Sequence, residues 1–405
     1  MSVRLVLLLG AVLCLHTFCS FTDTKDQKKI FPGDFATVAF RSNEFSIRIF
    51  KILATQNPGS NIIISPISIS MALAFLALGA RSNSKTEILQ SLKFNLTTIS
   101  EDKILQVFQL MGNILRMPKN NLKEDLSTAL FVDQQLALNN DFQQKAQELY
   151  GANITFAQFE DFLSTVKLIN HYVKQKTHGK IENMVKGLDI DTKMVLVNYL
   201  LFKAKWKMPF NPGYTFNSTF YLSTKKWVNI TSMRFENTNL LYYWDNKYSL
   251  HVVLLPYMSD RASMLLLLPN NGAMPKVEAE LNMDLIYYWR NTVNFRTVHL
   301  YLPKFSISGH YNLEEILPTL GIKKIFWQVE DFSDLTTNKM QVVHKAILNV
   351  AEEGTEELTY RGGSKILPPN RSRSLDFCRT FMVVVFSEDT QNILLLAKVE
   401  NPNQA

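Results

Sequence analysis

The chain of 405 residues holds only three cysteines, fifteen glycines and fourteen prolines. So few glycines and prolines exclude a collagen-like or linker-like chain, and so few cysteines exclude a disulfide-stapled scaffold. No run of 18 apolar residues occurs, so nothing in the sequence is long enough to anchor it in a membrane. Neither charge dominates, with 43 Lys and Arg against 36 Asp and Glu, a net +7. The excess is spread along the chain and does not gather into the basic stripe that nucleic acid requires. Catalytic signatures are missing too. There is no Gly-x-Ser-x-Gly, His-Glu-x-x-His, phosphate loop, Gly-x-Gly-x-x-Gly or Cys-x-x-Cys. Seven histidines are scattered. His171 and His178, on a Lys-rich stretch, read as surface residues rather than metal ligands. The expectation is a protein that is not an enzyme and needs no cofactor or metal.

What is present points outward from the cell. Met1-Ser-Val-Arg4 is a short basic start, Leu5 to Leu15 is an apolar run, and Thr17-Phe-Cys19 offers the small residues of a cleavage site. Residues 1–19 therefore read as a secretory signal, followed by an abruptly polar Thr22 to Lys29. Cleavage there removes Cys14 and Cys19 and leaves Cys378, which has no internal partner and reads as a buried, inert thiol, the alternatives being a thiol that pairs with a second chain or an exposed, reactive one. Five Asn-x-Ser/Thr sequons, at Asn95, Asn153, Asn217, Asn229 and Asn370, fit a secreted glycoprotein.

With 46% hydrophobic residues the chain can bury a large core. Apolar periodicity predicts helices over Asn43 to Leu53, Ser70 to Ala80, Thr86 to Leu92, Phe142 to Leu149 and Val166 to Lys176. Strands are expected over Met194 to Phe202, Leu250 to Pro256, Ser263 to Leu268, Val298 to Leu302, Val342 to Val350 and Phe381 to Phe386. Helices early and strands late suggest α+β packing around a large antiparallel or mixed sheet. No repeat or linker divides residues 20–405, which are expected to form a single domain. One stretch does not fit a compact core: Glu352 to Asp376 is a polar loop of more than twenty residues between two strand-like segments, and such loops are usually functional. Its carboxylate pairs, Glu352-Glu353 and Glu356-Glu357, read as solvated and untuned.

Several motifs then occur in a fixed order. They begin with Asn61-Ile-Ile-Ile-Ser-Pro-Ile-Ser68 and Thr177-His-Gly-Lys-Ile181. Leu196-Val-Asn198, Phe202-Lys203, Trp206 and Phe210 come next. Leu302-Pro-Lys-Phe305, Val343-His344-Lys-Ala346, Glu353-Gly-Thr355 and Lys398-Val-Glu-Asn-Pro402 complete the set. In this order they resemble the serpins, and Ser91 to Thr97 with the C-terminal ending resembles the alpha-1-antitrypsin branch. The resemblance implies a fold of three β-sheets and about nine helices, with a reactive-centre loop at 352–376 exposed to a protease. In inhibitory members the cut loop inserts as a new strand of the central sheet and drags the acylated protease with it. Ser65, Ser68, Asn198 and His344 match the buried cluster that governs sheet opening, and Trp206 matches the aromatic where insertion starts. Glu353, Gly354, Thr355, Glu357 and Arg361 match the hinge.

The resemblance makes Thr355 the first inward residue of the inserting strand. Alternation then turns Glu357, Thr359, Arg361, Gly363 and Lys365 toward the core. Inhibitory serpins carry small residues there, whereas this hinge is degenerate at Glu357, Tyr360 and Arg361. The family loop length places the scissile bond near Pro368-Pro369, a poor substrate bond, with Arg371 and Arg373 as basic alternatives. The expected function is a secreted, monomeric serpin without inhibitory activity. The alternatives are an inhibitor of a trypsin-like serine protease baited by Arg371 or Arg373, and a carrier of a small hydrophobic ligand.

Overall fold

In a computed structural model of the chain, the described residues are 32–80, 82–117, 122–327, 339–355 and 373–404. Residues 1–19, expected to be a secretory signal, the sequon at Asn370 and loop residues 356–372 lie outside them.

The chain opens with helix α1 (Pro32–Gln56), strand β1 (Ile62–Ile64) and helices α2 (Pro66–Gly79), α3 (Ser82–Ser91) and α4 (Glu101–Arg116). Ser65 caps α2, accepting from the Ser68 N–H at 3.3 Å, and Pro66 supplies the pre-set φ of the first turn. Twelve of the fourteen α2 residues, from Pro66 to Ala77, are buried. Ala, Ile, Leu and Met around every side make it a central helix rather than an amphipathic cover. Strand β2 (Leu122–Asp133), helix α5 (Asn140–Tyr150), strand β3 (Asn153–Ala157), helix α6 (Phe162–Lys176) and strand β4 (Thr192–Lys205) follow.

The second half is mostly strand: β5 (Phe216–Tyr221), β6 (Trp227–Asp245), β7 (Leu250–Pro256), β8 (Ala262–Pro269), β9 (Asn294–Pro303), β10 (Phe305–Asn312) and β11 (Lys339–Val350). Helices α7 (Met274–Glu280) and α8 (Met283–Thr292) precede β9, and α9 (Lys324–Trp327) precedes β11. The chain closes with β12 (Gly354–Thr355), β13 (Arg373–Asp376), β14 (Phe381–Ser387) and β15 (Ile393–Val399). Every residue of β14 and β15 is buried, which explains their unbroken apolar runs.

The strands form two ladders. One runs β1-β15-β14-β8-β7-β6-β9-β13 with β5 on β6, and the other runs β10-β11-β4-β2-β3 with β12 on β4. In the first ladder β6 is 19 residues long, and its pairing with β9 shifts register between Phe235 and Thr238. In the second ladder β4 has two working faces. Met194, Leu196, Leu200, Phe202 and Ala204 join the main core around α2. Val195, Val197 and Tyr199 join a smaller core with Ile169 and Val173 of α6. The α+β class expected from the sequence is the class observed, and all five expected helices lie on or overlap observed ones. Helices α4, α7, α8 and the single-turn α9 went unread, as did β2, β5, β6, β10 and β15 among the longer strands.

Candidate functional site

The residues singled out in the sequence gather along one seam, where β4 and β11 run parallel. His344 stands beside Asn198 in that register. Its Nε2 accepts the backbone N–H of Ser65 at 3.0 Å, so its proton sits on Nδ1 and is donated to Asn198 Oδ1 at 2.9 Å. The Ser68 hydroxyl donates to the same oxygen, and Asn198 Nδ2 donates to Thr128 Oγ1 at 3.1 Å. Ser65, Ser68, Asn198 and His344 are all fully buried. The cluster thus ties α2, β2, β4 and β11 together with neutral hydrogen bonds. Burial, with His310 nearby, pushes the His344 imidazole down to about 3. The ring stays neutral across the physiological range.

The parallel pairing of β11 with β4 continues up to Ile347 and Leu201. Above it the chain turns back. Ala351 and Gly354 exchange backbone bonds, and Gly354 and Thr355 pair antiparallel with Lys205 and Ala204 of β4. Gly354 has φ +152° and lies so close to β4 that a Cβ would stand 2.0 Å from the Ala204 carbonyl oxygen. Only glycine fits there. Thr355 is fully buried, and its hydroxyl lies 2.7 Å from the Tyr257 hydroxyl. Burial raises the Tyr257 phenol, and the Thr355 bond only partly offsets it. Tyr257 stacks on Trp206 with ring centroids 4.6 Å apart, and Trp206 Nε1 donates to the Ala351 carbonyl at 2.9 Å.

Glu352 corrects an expectation. Read as a solvated carboxylate, it is only 7% exposed. Its Oε2 lies 2.9 Å from Lys304 Nζ, and its Oε1 accepts the Thr215 hydroxyl at 2.8 Å. Burial pushes this carboxyl up, but the bonds from Lys304 and Thr215 together outweigh it and hold the group below its ordinary value. The reason is tertiary: β10 follows β9 closely enough to bring Lys304 under the β11 turn. A second correction concerns the loop 352–376. Its start, Glu352 to Thr355, belongs to the packed sheet, and its end forms β13, where Arg373 pairs with Val298 of β9. Glu353 is exposed, while its carbonyl accepts the Trp206 N–H at 3.0 Å.

Lys304, Thr215, Tyr257 and Thr128 were not anticipated as members of these groups. Lys304 lies inside the Leu302-Pro-Lys-Phe305 motif and could have been found there. No local signal marks Thr215. The reactive-centre candidates Pro368, Pro369 and Arg371 and the hinge residues Glu357, Tyr360 and Arg361 lie outside the described residues. His171 and His178 are both exposed. Cys378 is half-buried rather than buried, and burial with Asp376 beside it pushes its thiol up. Among the sequons, Asn95, Asn217 and Asn229 are exposed and Asn153 is half-buried. Among the described residues no helix is long and apolar enough to cross a membrane.

The chain is similar to known proteins over most of its length. Human alpha-1-antichymotrypsin is 44% identical over 370 residues, covering 89% of this chain and 87% of that protein. A serine protease inhibitor of Rattus norvegicus is 42% identical over 371 residues, covering 90% of this chain and 89% of its own. Among solved structures, human glycosylated kallistatin has a TM-score of 0.86 at 34% identity, covering 92% of this chain and all of that one. Human thyroxine-binding globulin in complex with its ligand has a TM-score of 0.85 at 30% identity, covering 91% of this chain and all of its own. The family model described as serpin (serine protease inhibitor) matches residues 41–402, and the chain belongs to that family of inhibitors, not to the enzymes.

Proposed function

We propose that residues 1–19 are a secretory leader and that residues 20–405 form one secreted serpin domain that does not inhibit proteases. A protease cuts its loop, and the cut loop does not complete insertion. The observation that supports this reading is the position of Thr355, buried on the core side of β4 and paired with Ala204. Continuing that register down β4 would set Glu357 opposite Phe202 and Arg361 opposite Asn198. Phe202 and Leu348, which would flank Glu357, are both buried and apolar. The site waiting for Arg361 is the neutral cluster of Asn198, Ser68 and His344, which holds no carboxylate. Each ionic group would lose its water without a counter-charge, at a cost of several kcal/mol. Four residues along one strand span about 13 Å, so the two cannot neutralise each other. Insertion has to outrun hydrolysis of the acyl-enzyme, and a barrier of this size makes the chain a substrate.

Two other readings have their own support. Relatives named as inhibitors at 42–44% identity favour an inhibitor of a serine protease, with Arg371 or Arg373 as bait. The likeness to thyroxine-binding globulin favours a carrier of a small hydrophobic ligand. Incubation with an equimolar amount of trypsin separates the first two. The expected result is cleaved protein with no adduct, and a covalent complex surviving SDS overturns the proposal. A melting shift on adding thyroid-hormone or steroid ligands is the sign of the carrier.

A further inference from the structure

The hairpin of β5 and β6 carries two exposed aromatic rings at its turn end. Tyr221 and Trp227 stand directly opposite each other, 52% and 59% exposed. Strand alternation continues that face. Trp227, Asn229 and Thr231 share one side of β6, and Asn217, Thr219 and Tyr221 face them from β5 in register. The burial pattern agrees: Trp227 and Asn229 are exposed and Thr231 is half-open, while Ile230 and Ser232 between and beyond them are buried. Two residues along a strand span about 6.5–7 Å. The Asn229 amide therefore stands about one sugar ring from the indole.

The Asn229 side chain is also uncommitted. Among the described residues only its backbone carbonyl is used, accepting Asn403 Nδ2 at 2.8 Å. Asn153 differs: its Nδ2 donates to the Tyr172 hydroxyl at 2.7 Å. Asn95 accepts the N–H and hydroxyl of Thr97 through Oδ1. Beside Asn229 lies a shallow polar groove of about 440 Å³, lined by Asn217, Asn229, Thr231 and Asn403 among others.

We propose that Asn229 carries an N-linked oligosaccharide whose first N-acetylglucosamine lies on the face of Trp227. In the transfer, Asn229 Nδ2 attacks the anomeric carbon of a lipid-linked oligosaccharyl diphosphate. The N–C bond forms, the C–O bond to the diphosphate breaks, the diphosphate leaves with the electron pair, and Nδ2 gives up one proton. Thr231 supplies the sequon hydroxyl. The polarised C–H bonds of the sugar then meet the electron-rich face of the indole, which explains an open tryptophan at this place. The inference shares with the functional proposal only the secretory route and is independent of loop insertion.

The test uses the full chain expressed in a secreting mammalian cell line. Asn229 occupancy is read by peptide mass after enzymatic deglycosylation in heavy-oxygen water. Melting is compared for wild type, T231A, W227A and the double variant, with N229Q as a second way to remove the sugar and W227F as a conservative replacement. The expected result is an occupied Asn229. T231A and N229Q should lower the melting temperature alike, by about 2 °C, and the loss should shrink by at least half without Trp227 and return with W227F. Secreted protein modified at other sequons but bare at Asn229 overturns the inference while leaving secretion intact. Chain retained inside the cell with no sugar overturns both. Equal losses with and without Trp227 also overturn it and leave the tryptophan to a different occupant.

Discussion

Two buried polar sites lie on the same β4–β11 seam, and they are built from different chemistry. The lower one, Ser65, Ser68, Asn198 and His344, is fully buried and wholly neutral. The upper one, at the rim of the sheet, keeps charge: Glu352 and Lys304 pair at 2.9 Å with side chains 9% and 10% exposed. Depth explains the difference. At the rim an ion pair with an added hydroxyl from Thr215 tolerates its loss of water, whereas deep in the seam only neutral donors and acceptors avoid the desolvation penalty. The comparison bears directly on the loop. In the proposed insertion, a strand entering from the rim would pass from the site that tolerates charge to the one that does not, and would carry Glu357 and Arg361 along that path.

The comparison can be sharpened most strongly by removing those two charges. The double variant E357A/R361A, nicked in the loop, is expected to melt well above its uncut form, since two burials of several kcal/mol each disappear. Nicked wild type should melt no higher than uncut protein, and a rise there would break the argument.

At the rim, Glu352→Ala strands the Lys304 ammonium among buried atoms and should cost about 3–5 kcal/mol in denaturant midpoint, with Glu352→Gln costing less. Deeper down, His344→Ala leaves the Ser65 N–H without its acceptor and opens a cavity, at about 2–4 kcal/mol.

Acid distinguishes the sites further. His344 titrates near 3 when folded and about 6.5 when unfolded. Its contribution is complete above pH 6.5 and is lost as pH falls toward 3, at up to about 1.4 kcal/mol per unit. Glu314 acts oppositely. Burial pushes its carboxyl up to about 7 beside the Val342 N–H, so its contribution is present below pH 4.5 and fades as pH rises toward 7. The two therefore offset each other between 4.5 and 6.5. A His344→Gln variant should flatten the stability profile below 4.5, and Glu314→Gln should flatten the opposing slope near neutrality. The smallest effect belongs to Thr355→Val, which leaves the Tyr257 hydroxyl short of its partner at about 1 kcal/mol.

Local pattern carried part of this description. The helix over Ser70 to Ala80 was legible because α2 is apolar on every side, and strand 250–256 because a short apolar run is bounded by Pro256. Helix α4 was legible but unread: Ser100 precedes it, Glu101 and Asp102 fill its first turn, and Arg116 its last. Strand β6 was hidden by its own composition. The largely polar run Arg234 to Asn239 interrupts its apolar alternation, just where its register with β9 shifts. Thr355 was expected inward and is buried. The polar residues Ser65, Ser68, Asn198 and His344 could be picked out as a set only through the family motifs, since they lie up to 279 residues apart.

By itself the sequence determined the α+β class and the family, because periodicity and ordered motifs are properties of the chain alone. Only the tertiary structure decided the state of Glu352, the neutral tautomer of His344 and the openness of Asn229 beside Trp227. Each depends on groups brought together from distant or neighbouring strands, and it is water removed by packing that turns a surface carboxylate into a buried ion pair.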